Sequence, residues 1–262
     1  PIRFFTSHRV QTTSFEPATA FASSGTTGPI NSRHFVKDTQ LYKEAFTKGF
    51  ELFYGPVKDW CILGLLPSYL DRENSSLVFM VNELIRLNGH PGSGFYLDDY
   101  DKLGSLINEL EDRGQKTLLV GVTFALLDFA SIYFSGRNGK SLKFTAVMET
   151  GGMKGRRKEM VRQEVHAVLK KAFDLPTIHS EYGMTELLSQ AYSSGEGVFR
   201  CPPWMKVLIR EEDDPFEIRT PQFQNAASVS GAINVIDLAN IYSCSFIATD
   251  DAGKLYNDGS FE

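Results

Sequence analysis

The chain has 262 residues, 42% of them hydrophobic and 23% charged, with a net charge of −5. This composition is typical of a globular protein with a sizeable core. The acidic balance argues against nucleic-acid binding, which needs a basic surface to neutralise phosphates. Three cysteines without a Cys-x-x-Cys pair predict neither a zinc site nor a disulfide framework, and they fit a reducing, cytoplasmic location. No apolar run reaches the roughly 18 residues that a membrane span needs.

Strands and helices alternate through most of the chain, after a first segment, Pro1 to Phe5, that we predict to be extended. Buried strands are predicted where apolar runs are short and continuous, and helices where apolar residues recur at helical spacing. The predicted strands are Trp60 to Leu66, Lys116 to Val122, Leu142 to Met148 and a short one at Pro176 to Ile178. The predicted helices are Gln40 to Tyr54, one opening at Ser75-Ser76, Asp98 to Arg113, Phe124 to Phe134 and Arg156 to Phe173. This alternation predicts an α/β fold with a mostly parallel sheet and crossover helices.

The alternation of strands and helices ends near Gly195. After it, the sequence predicts short strands separated by Asp, Asn, Pro and Gly. They predict a small antiparallel β subdomain without helices. We therefore divide the chain into an α/β nucleotide-binding subdomain, 1–200, and a β subdomain, 201–262. The predicted strands of the second part are Met205 to Arg210, Phe216 to Arg219, Ala232 to Leu238, Ser245 to Thr249 and Lys254 to Tyr256.

A stretch rich in hydroxyls and glycines, Phe21 to His34, follows an apolar segment that can end a strand. Glycine permits backbone angles that a Cβ forbids. Backbone N–H groups and side-chain hydroxyls in such a loop can surround phosphate oxygens. The alternative is a solvated turn, since these residues also dominate ordinary turns. The candidate phosphate ligands are Ser23, Ser24, Gly25, Thr26, Thr27 and Gly28.

A second stretch, Ser180 to Glu186, reads Ser-Glu-Tyr-Gly-Met-Thr-Glu. Taken alone, Thr185-Glu186 could be a helix N-cap followed by a carboxylate exposed at the helix start. Together the two stretches resemble the adenylate-forming enzymes, which carry a Ser/Thr-Ser/Thr-Gly-Thr-Thr-Gly loop and, downstream, Tyr-Gly-x-Thr-Glu. The wider context is similar to acyl-protein synthetases of the LuxE type, on Pro67-Ser68-Tyr69, Ser75-Ser76-Leu77, Gly94-Phe95-Tyr96 and Glu181 through Gln190.

The resemblance implies a role for each matching residue. The hydroxyl loop would hold the β- and γ-phosphates of ATP, and Gly151, Gly152 and Tyr182 would lie against adenine. Gly183 belongs to the same motif, Thr185 would bind the α-phosphate, and Glu186 would ligate Mg²⁺. Asp251, in Thr249-Asp250-Asp251-Ala252-Gly253, would hold the ribose, although Asp250 replaces the usual glycine. Since ligands of parallel sheets bind outside the carboxyl ends of strands, we expect these loops to meet at one edge of the sheet.

The implied activity is ATP-dependent activation of a carboxylic acid, fatty or aryl, with transfer to a protein thiol. Two alternatives remain open: a CoA ligase of the phenylacetate–CoA ligase type, and a truncated, inactive nucleotide-binding or partner-docking module. The lid domain of the resembled family, its catalytic Lys and the acylated Cys are expected beyond Glu262. Because the chain begins at Pro1, we also expect it to be a piece of a longer product.

Overall fold

A computed structural model of the chain describes residues 1–23, 31–66, 74–97, 99–133, 142–151, 160–214, 216–222 and 225–262. Its helices are α1 (Phe4–Ser7), α2 (Thr39–Tyr54), α3 (Ser76–Asn88), α4 (Tyr100–Asp112), α5 (Thr123–Tyr133) and α6 (Arg162–Phe173). Its strands are β1 (Thr19–Ala22), β2 (Arg33–Val36), β3 (Cys61–Leu65), β4 (Gly94–Phe95), β5 (Thr117–Gly121), β6 (Thr145–Glu149), β7 (His179–Tyr182), β8 (Ala191–Ser193), β9 (Met205–Arg210), β10 (Ile218–Arg219), β11 (Ser228–Asp237) and β12 (Phe246–Tyr256). No helix among these residues is long and apolar enough to cross a membrane.

The central sheet has six strands in the order β4-β3-β5-β6-β7-β8. Its first five strands are parallel, and only β8 runs antiparallel to its neighbour. Strands β3 and β5 are buried at every position, which explains their unbroken apolar sequences. The predicted α/β fold with a mostly parallel sheet is confirmed.

Helix boundaries follow the capping residues in the sequence. Asp38 caps α2 by accepting a hydrogen bond from Gln40 N at 2.8 Å. Ser75 caps α3 in the same way, through Val78 N at 3.3 Å, and Gly89 ends that helix with a φ of 64°. The helices predicted at these places are therefore confirmed.

A separate four-stranded antiparallel sheet, β10-β9-β11-β12, forms the last part of the chain. Alternate residues of β9 are buried, and they pack in a second apolar core with Phe199 and Phe261. A third, two-stranded sheet pairs β1 with β2. The predicted antiparallel region is confirmed, whereas the boundary at residue 201 stays a prediction.

Several predicted boundaries were wrong. Residues Phe4–Ser7 form a helical turn rather than an extended segment, because Phe5 turns inward and packs edge-on against His34 at 5.6 Å between ring centroids. Helix α6 begins at Arg162, after the non-helical Met160 and Val161, since Glu164 accepts from the backbone N–H of Val161 and fixes the first turn there. The first residues of the predicted helix, 156–159, lie outside the described residues.

Two errors concern strands beside the predicted site. Strand β7 spans His179–Tyr182 instead of the preceding Pro-Thr-Ile, so Tyr182 ends the strand rather than following it. Strand β12 is continuous where we predicted two strands. The Asp-rich segment of β12 forms a β-bulge instead of a turn. The register shift between Ala232 and Asn234 of β11 accommodates its extra residues.

Candidate functional site

The segment after β7 contains the Thr-Glu pair, and no helix begins there. The interpretation of Glu186 as an exposed carboxylate at a helix start was therefore wrong. The segment is held in place by buried polar side chains from two other sheets. From the β1–β2 hairpin, His34 places Nδ1 2.8 Å from the carbonyl oxygen of Thr185. Its Nε2 lies 3.0 Å from Oδ1 of Asn240, whose amide donates to the carbonyl oxygen of Glu186 at 2.7 Å.

Asp237, at the end of β11, anchors the next residues of the same segment. Its carboxylate accepts from the backbone N–H groups of Leu188 and Ser189 at 2.8 and 3.1 Å. It also accepts from the Ser189 hydroxyl at 2.5 Å. Because Asp237 is fully buried, these hydrogen bonds must replace the water it loses. The three sheets thus meet at the segment that carries Thr185 and Glu186.

Glu186 itself is buried, with only 6% of its surface exposed. Burial raises the pKa of its carboxyl, the Ser32 hydroxyl lowers it, and the negative charge of Asp251 raises it. Ser32 also pairs with Ser23: its N–H donates to Ser23 Oγ at 2.9 Å, and Ser23 N–H donates to its carbonyl at 3.1 Å. Ser23, the first residue of the predicted phosphate loop, is thus tied to the start of β2, the strand whose His34 lies against the carbonyl oxygen of Thr185.

Tyr182 and Asp251 also lie together. The Tyr182 hydroxyl donates to Asp251 Oδ2 at 2.9 Å, and the ring packs edge-on against Phe261 at 5.3 Å between centroids. Burial raises the pKa of Tyr182, and the Asp251 charge adds to this effect. Asp251 lies on the β-bulge of β12, where its N–H donates to Thr249 Oγ1 at 3.2 Å. The predicted adenine and ribose ligands are thus in direct contact.

The bulge is fixed by Arg210, a half-buried residue at the end of β9 that sequence reasoning missed. Its guanidinium donates to the carbonyl oxygens of Ile233 and Thr249 at 2.7 and 2.8 Å. A further hydrogen bond reaches Asn234 Oδ1 at 2.8 Å. The five donors of a guanidinium suit this bridging of neighbouring strands.

Gly151 follows β6, the strand next to β7 in the central sheet. It adopts a φ of 76°, which favours glycine, and no heavy atom of the described chain lies within 4 Å of where a Cβ would be. Its N–H donates to Glu149 Oε1 at 2.8 Å, and the Thr123 hydroxyl donates to the same oxygen. Burial raises the pKa of Glu149, but the His166 ring 3.8 Å away, the hydrogen bonds from Thr123 and Gly151, and the Arg162 charge together bring it below its ordinary value.

The predicted convergence on one sheet edge is only partly observed. Gly151 and Tyr182 do lie at the carboxyl ends of adjacent parallel strands. Ser23 instead follows β1 of the hairpin and reaches the site through Ser32. The remaining predicted ligands of the loops, Ser24, Gly25, Thr26, Thr27, Gly28 and Gly152, lie outside the described residues, so their assignments stay predictions.

The described ranges contain no group of three or more His, Cys, Asp or Glu side chains that could hold a metal ion. A single carboxylate such as Glu186 still fits Mg²⁺, which commonly takes one or two protein carboxylates with substrate phosphates and water. A groove of about 580 Å³ lies elsewhere, between the end of α2 and the antiparallel sheet, and it includes none of the predicted site residues.

No protein-family model and no curated protein matches the sequence. Solved structures do match its fold. Coronafacic acid ligase from Pectobacterium brasiliense is 14% identical, with a TM-score of 0.54, over 85% of this chain and 42% of the ligase. Amide bond synthetase McbA from Marinactinospora thermotolerans is 15% identical, with a TM-score of 0.52, over 90% of this chain and 46% of the synthetase.

At such low identity the likeness shows the fold alone, and this chain spans less than half the length of either protein. The shared fold is that of the N-terminal domain of adenylate-forming enzymes. It is the fold that the resemblance of the two motifs implied, and both neighbours are ligases by name. The comparisons do not support the narrower resemblance to acyl-protein synthetases.

Proposed function

We propose that this chain binds ATP with Mg²⁺ and activates a carboxylic acid as its acyl adenylate, for transfer to the thiol of an acceptor protein. The observation that carries the proposal is that Ser23, at the base of the hydroxyl-rich loop, pairs with Ser32, and that His34, two residues on, lies 2.8 Å from the carbonyl oxygen of Thr185, the residue before Glu186. A magnesium ligand and a phosphate loop must be neighbours if both serve one nucleotide. The ligase fold supports the same conclusion.

In the proposed complex, Ser23 to Gly28 would bind the β- and γ-phosphates and Thr185 the α-phosphate. Gly151, Gly152 and Tyr182 would lie against adenine, and Asp251 would accept the ribose hydroxyls. Glu186 would hold Mg²⁺, which neutralises phosphate charge when bound.

The proposed chemistry requires positioning more than acid–base catalysis. A carboxylate oxygen of the acid attacks the α-phosphorus of ATP, the bond to the bridging oxygen breaks, and pyrophosphate leaves. No side-chain base is needed, because a carboxylic acid is already ionised at neutral pH. The protein contributes in-line orientation and donors for the phosphate charge. In the second step the thiolate of the acceptor, which has lost its proton to solvent, attacks the acyl carbon, the bond to the phosphate oxygen breaks, and AMP leaves.

Isothermal titration with ATP, with and without Mg²⁺, tests the proposal directly. We expect saturable binding that tightens with Mg²⁺, and Glu186→Gln should remove the magnesium effect. Absence of binding at millimolar nucleotide would refute a nucleotide site. Glu44→Gln, on an exposed position of α2, is the matched control for losing one carboxylate.

Two other functions share the nucleotide site and differ in the chemistry after ATP binds. A CoA ligase would form acyl-CoA, so product analysis with and without CoA separates it from an acyl-protein synthetase. An inactive nucleotide-binding module would bind ATP but never exchange pyrophosphate into it. An exchange assay with a panel of fatty and aryl acids distinguishes that case.

A further inference from the structure

The carboxyl of Glu181 lies beside the proposed nucleotide site and has no role in it. Glu181 precedes Tyr182 in β7, so the two side chains point to opposite faces of the strand. Tyr182 packs into the core of the antiparallel sheet. Glu181 instead lies directly opposite Tyr192 of β8, which belongs to the core formed with α2.

The Glu181 side chain bends back over Gly183. A Cβ at position 183 would overlap Glu181 Oε1, and it would lie 3.4 Å from Cγ of Gln190. A side chain at this position would displace the carboxyl from where it lies. Nothing in the described part of the chain hydrogen-bonds to Glu181 or forms an ion pair with it.

Two further polar atoms near Glu181 are buried without partners among the described residues. They are Oε1 of Gln190 and the hydroxyl of Tyr192, whose residues are 5% and 3% exposed. Buried polar atoms are normally hydrogen-bonded, so each unpaired one requires an explanation. An amide oxygen can only accept, and a hydroxyl can both accept and donate. The surroundings of Gly183 are therefore rich in acceptors and poor in donors.

The charges around Glu181 do not supply the missing donor. Burial raises the pKa of its carboxyl to about 8, and the nearby Glu149 carboxylate adds to the effect. The titratable side chains that feel the charge of Glu181 are phenols, those of Tyr42, Tyr54 and Tyr192. The Glu181 carboxyl, which is half-buried, has no counter-charge among the residues that the structure describes.

We propose that Glu181, Gln190 and Tyr192 form a subsite for a primary ammonium group, next to the segment that carries Thr185 and Glu186. An ammonium offers three donors and the missing positive charge, and the phenol rings supply the aromatic walls that cations favour. The inference rests on the proposed function and adds to it a substrate class. The amine belongs either to the acid that is activated or to a separate acceptor.

Calorimetry on the whole chain tests the subsite in two stages. ATP with Mg²⁺ is titrated first, and failure to bind at this stage refutes the proposed function rather than the subsite. At saturating AMP the probes are then butylamine, 4-aminobutyrate, butyrate and 1-butanol. Each titration is repeated at pH 7 in two buffers of different ionisation enthalpy, which reports protons released on binding.

We expect the amines to bind at least tenfold more tightly than 1-butanol and to release up to about one proton, because Glu181 must ionise to pair with them. Glu181→Gln should abolish the proton release and weaken amine binding at least tenfold, while Glu44→Gln should change neither. Tyr192→Phe, which removes only the unpaired hydroxyl, should weaken amine binding severalfold without affecting ATP.

The probes also distinguish the two sources of the amine. Tighter binding of 4-aminobutyrate than of both butylamine and butyrate supports an amino group on the activated acid. Equal binding of butylamine and 4-aminobutyrate supports a separate amine acceptor. If ATP binds but the amines bind no better than 1-butanol, or if Glu181→Gln and Tyr192→Phe both leave amine binding unchanged, the subsite does not exist and ordered water fills the space.

Discussion

The buried carboxyl of Glu186 is unfavourable for folding, whereas in the proposed complex it would bind Mg²⁺. Its burial costs free energy because the ionised form loses water, and Ser32 compensates for only part of that loss. A metal ion would supply the missing positive charge. The proposed magnesium-binding role would account for this conflict between stability and function.

The first prediction concerns the stability of Glu186→Gln without ligand. The pKa of Glu186 is raised in the folded state, so wild-type stability should fall as the pH rises through that raised value. Between low pH and pH values above the raised pKa, the difference in free energy of unfolding should shift in favour of the variant by about 1.4 kcal/mol for each unit by which the pKa is raised. Urea unfolding between pH 4 and 8 measures the difference, and Glu44→Gln is the control. A difference independent of pH would contradict this expectation.

The second prediction concerns the reactivity of the cysteines. Burial raises the pKa of Cys201 to about 12, and Cys61 is fully buried with a raised pKa. Because only the thiolate is nucleophilic, neither residue should react with iodoacetamide or with an acyl adenylate at neutral pH. Peptide mass spectrometry over time should show Cys244 labelled first. Early labelling of Cys201, or an acyl adduct on it, would show that its thiolate is populated.

At the scale of elements, the bulge in β12 depends on side chains more than on backbone pairing. Arg210 donates to two carbonyl oxygens across the register shift and so holds the strand that presents Asp251. Without these hydrogen bonds, the carbonyl oxygens of Ile233 and Thr249 would be buried without the Arg210 donor. The position of Asp251 thus depends on a residue in another strand.

The third prediction rests on this dependence. Arg210→Met should lower the free energy of unfolding by about 1–3 kcal/mol, the cost of leaving buried acceptors unpaired. It should also weaken binding of ATP more than binding of 2′,3′-dideoxy-ATP, since only ATP would use Asp251 fully. Arg200→Met removes an exposed ion pair with Asp258 and should leave the free energy of unfolding nearly unchanged. Equal losses for both nucleotides would argue against a positioning role.

The elements that the sequence predicts well are those with a local cause. Asp38, Ser75 and Gly89 cap helices that appear where their chemistry requires, and the apolar runs of β3 and β5 form buried strands. The bulge was missed because an Asp-rich segment resembles a turn unless its partners in β9 and β11 are known. The pairing of β2 with β1 was missed for the same reason, since it depends on residues far apart in the chain.

The same distinction applies to the candidate site. The motifs predicted Thr185, Glu186, Tyr182 and Asp251, and the structure brings them close together, while their roles remain proposals. The residues that hold them, His34, Asp237, Asn240 and Arg210, belong to no recognisable motif. Each acts through hydrogen bonds to residues that the fold brings close from distant parts of the chain, so its sequence neighbourhood carries no signal.

At the scale of the whole molecule, the proposed nucleotide site joins three sheets. Ser23, Ser32 and His34 come from the hairpin region, Tyr182 and Glu186 from the central sheet and the segment after it, and Asp237 and Asp251 from the antiparallel sheet. A ligand that contacts residues from all three can bind only when they are packed together. Its binding free energy then contributes to the stability of the whole assembly.

The last prediction is that ATP with Mg²⁺ stabilises all three sheets as one unit. At a hundredfold excess over Kd, binding should add about 2.7 kcal/mol to the free energy of unfolding. For a chain of this size, that corresponds to a rise of about 5–10 °C in the thermal midpoint. Scanning calorimetry should show a single, sharper transition with nucleotide. Glu186→Gln should lose the part of the shift that depends on Mg²⁺, because its amide is a poor ligand for that cation. If the antiparallel sheet melted at an unchanged temperature while the rest was stabilised, Asp251 would not contact the nucleotide.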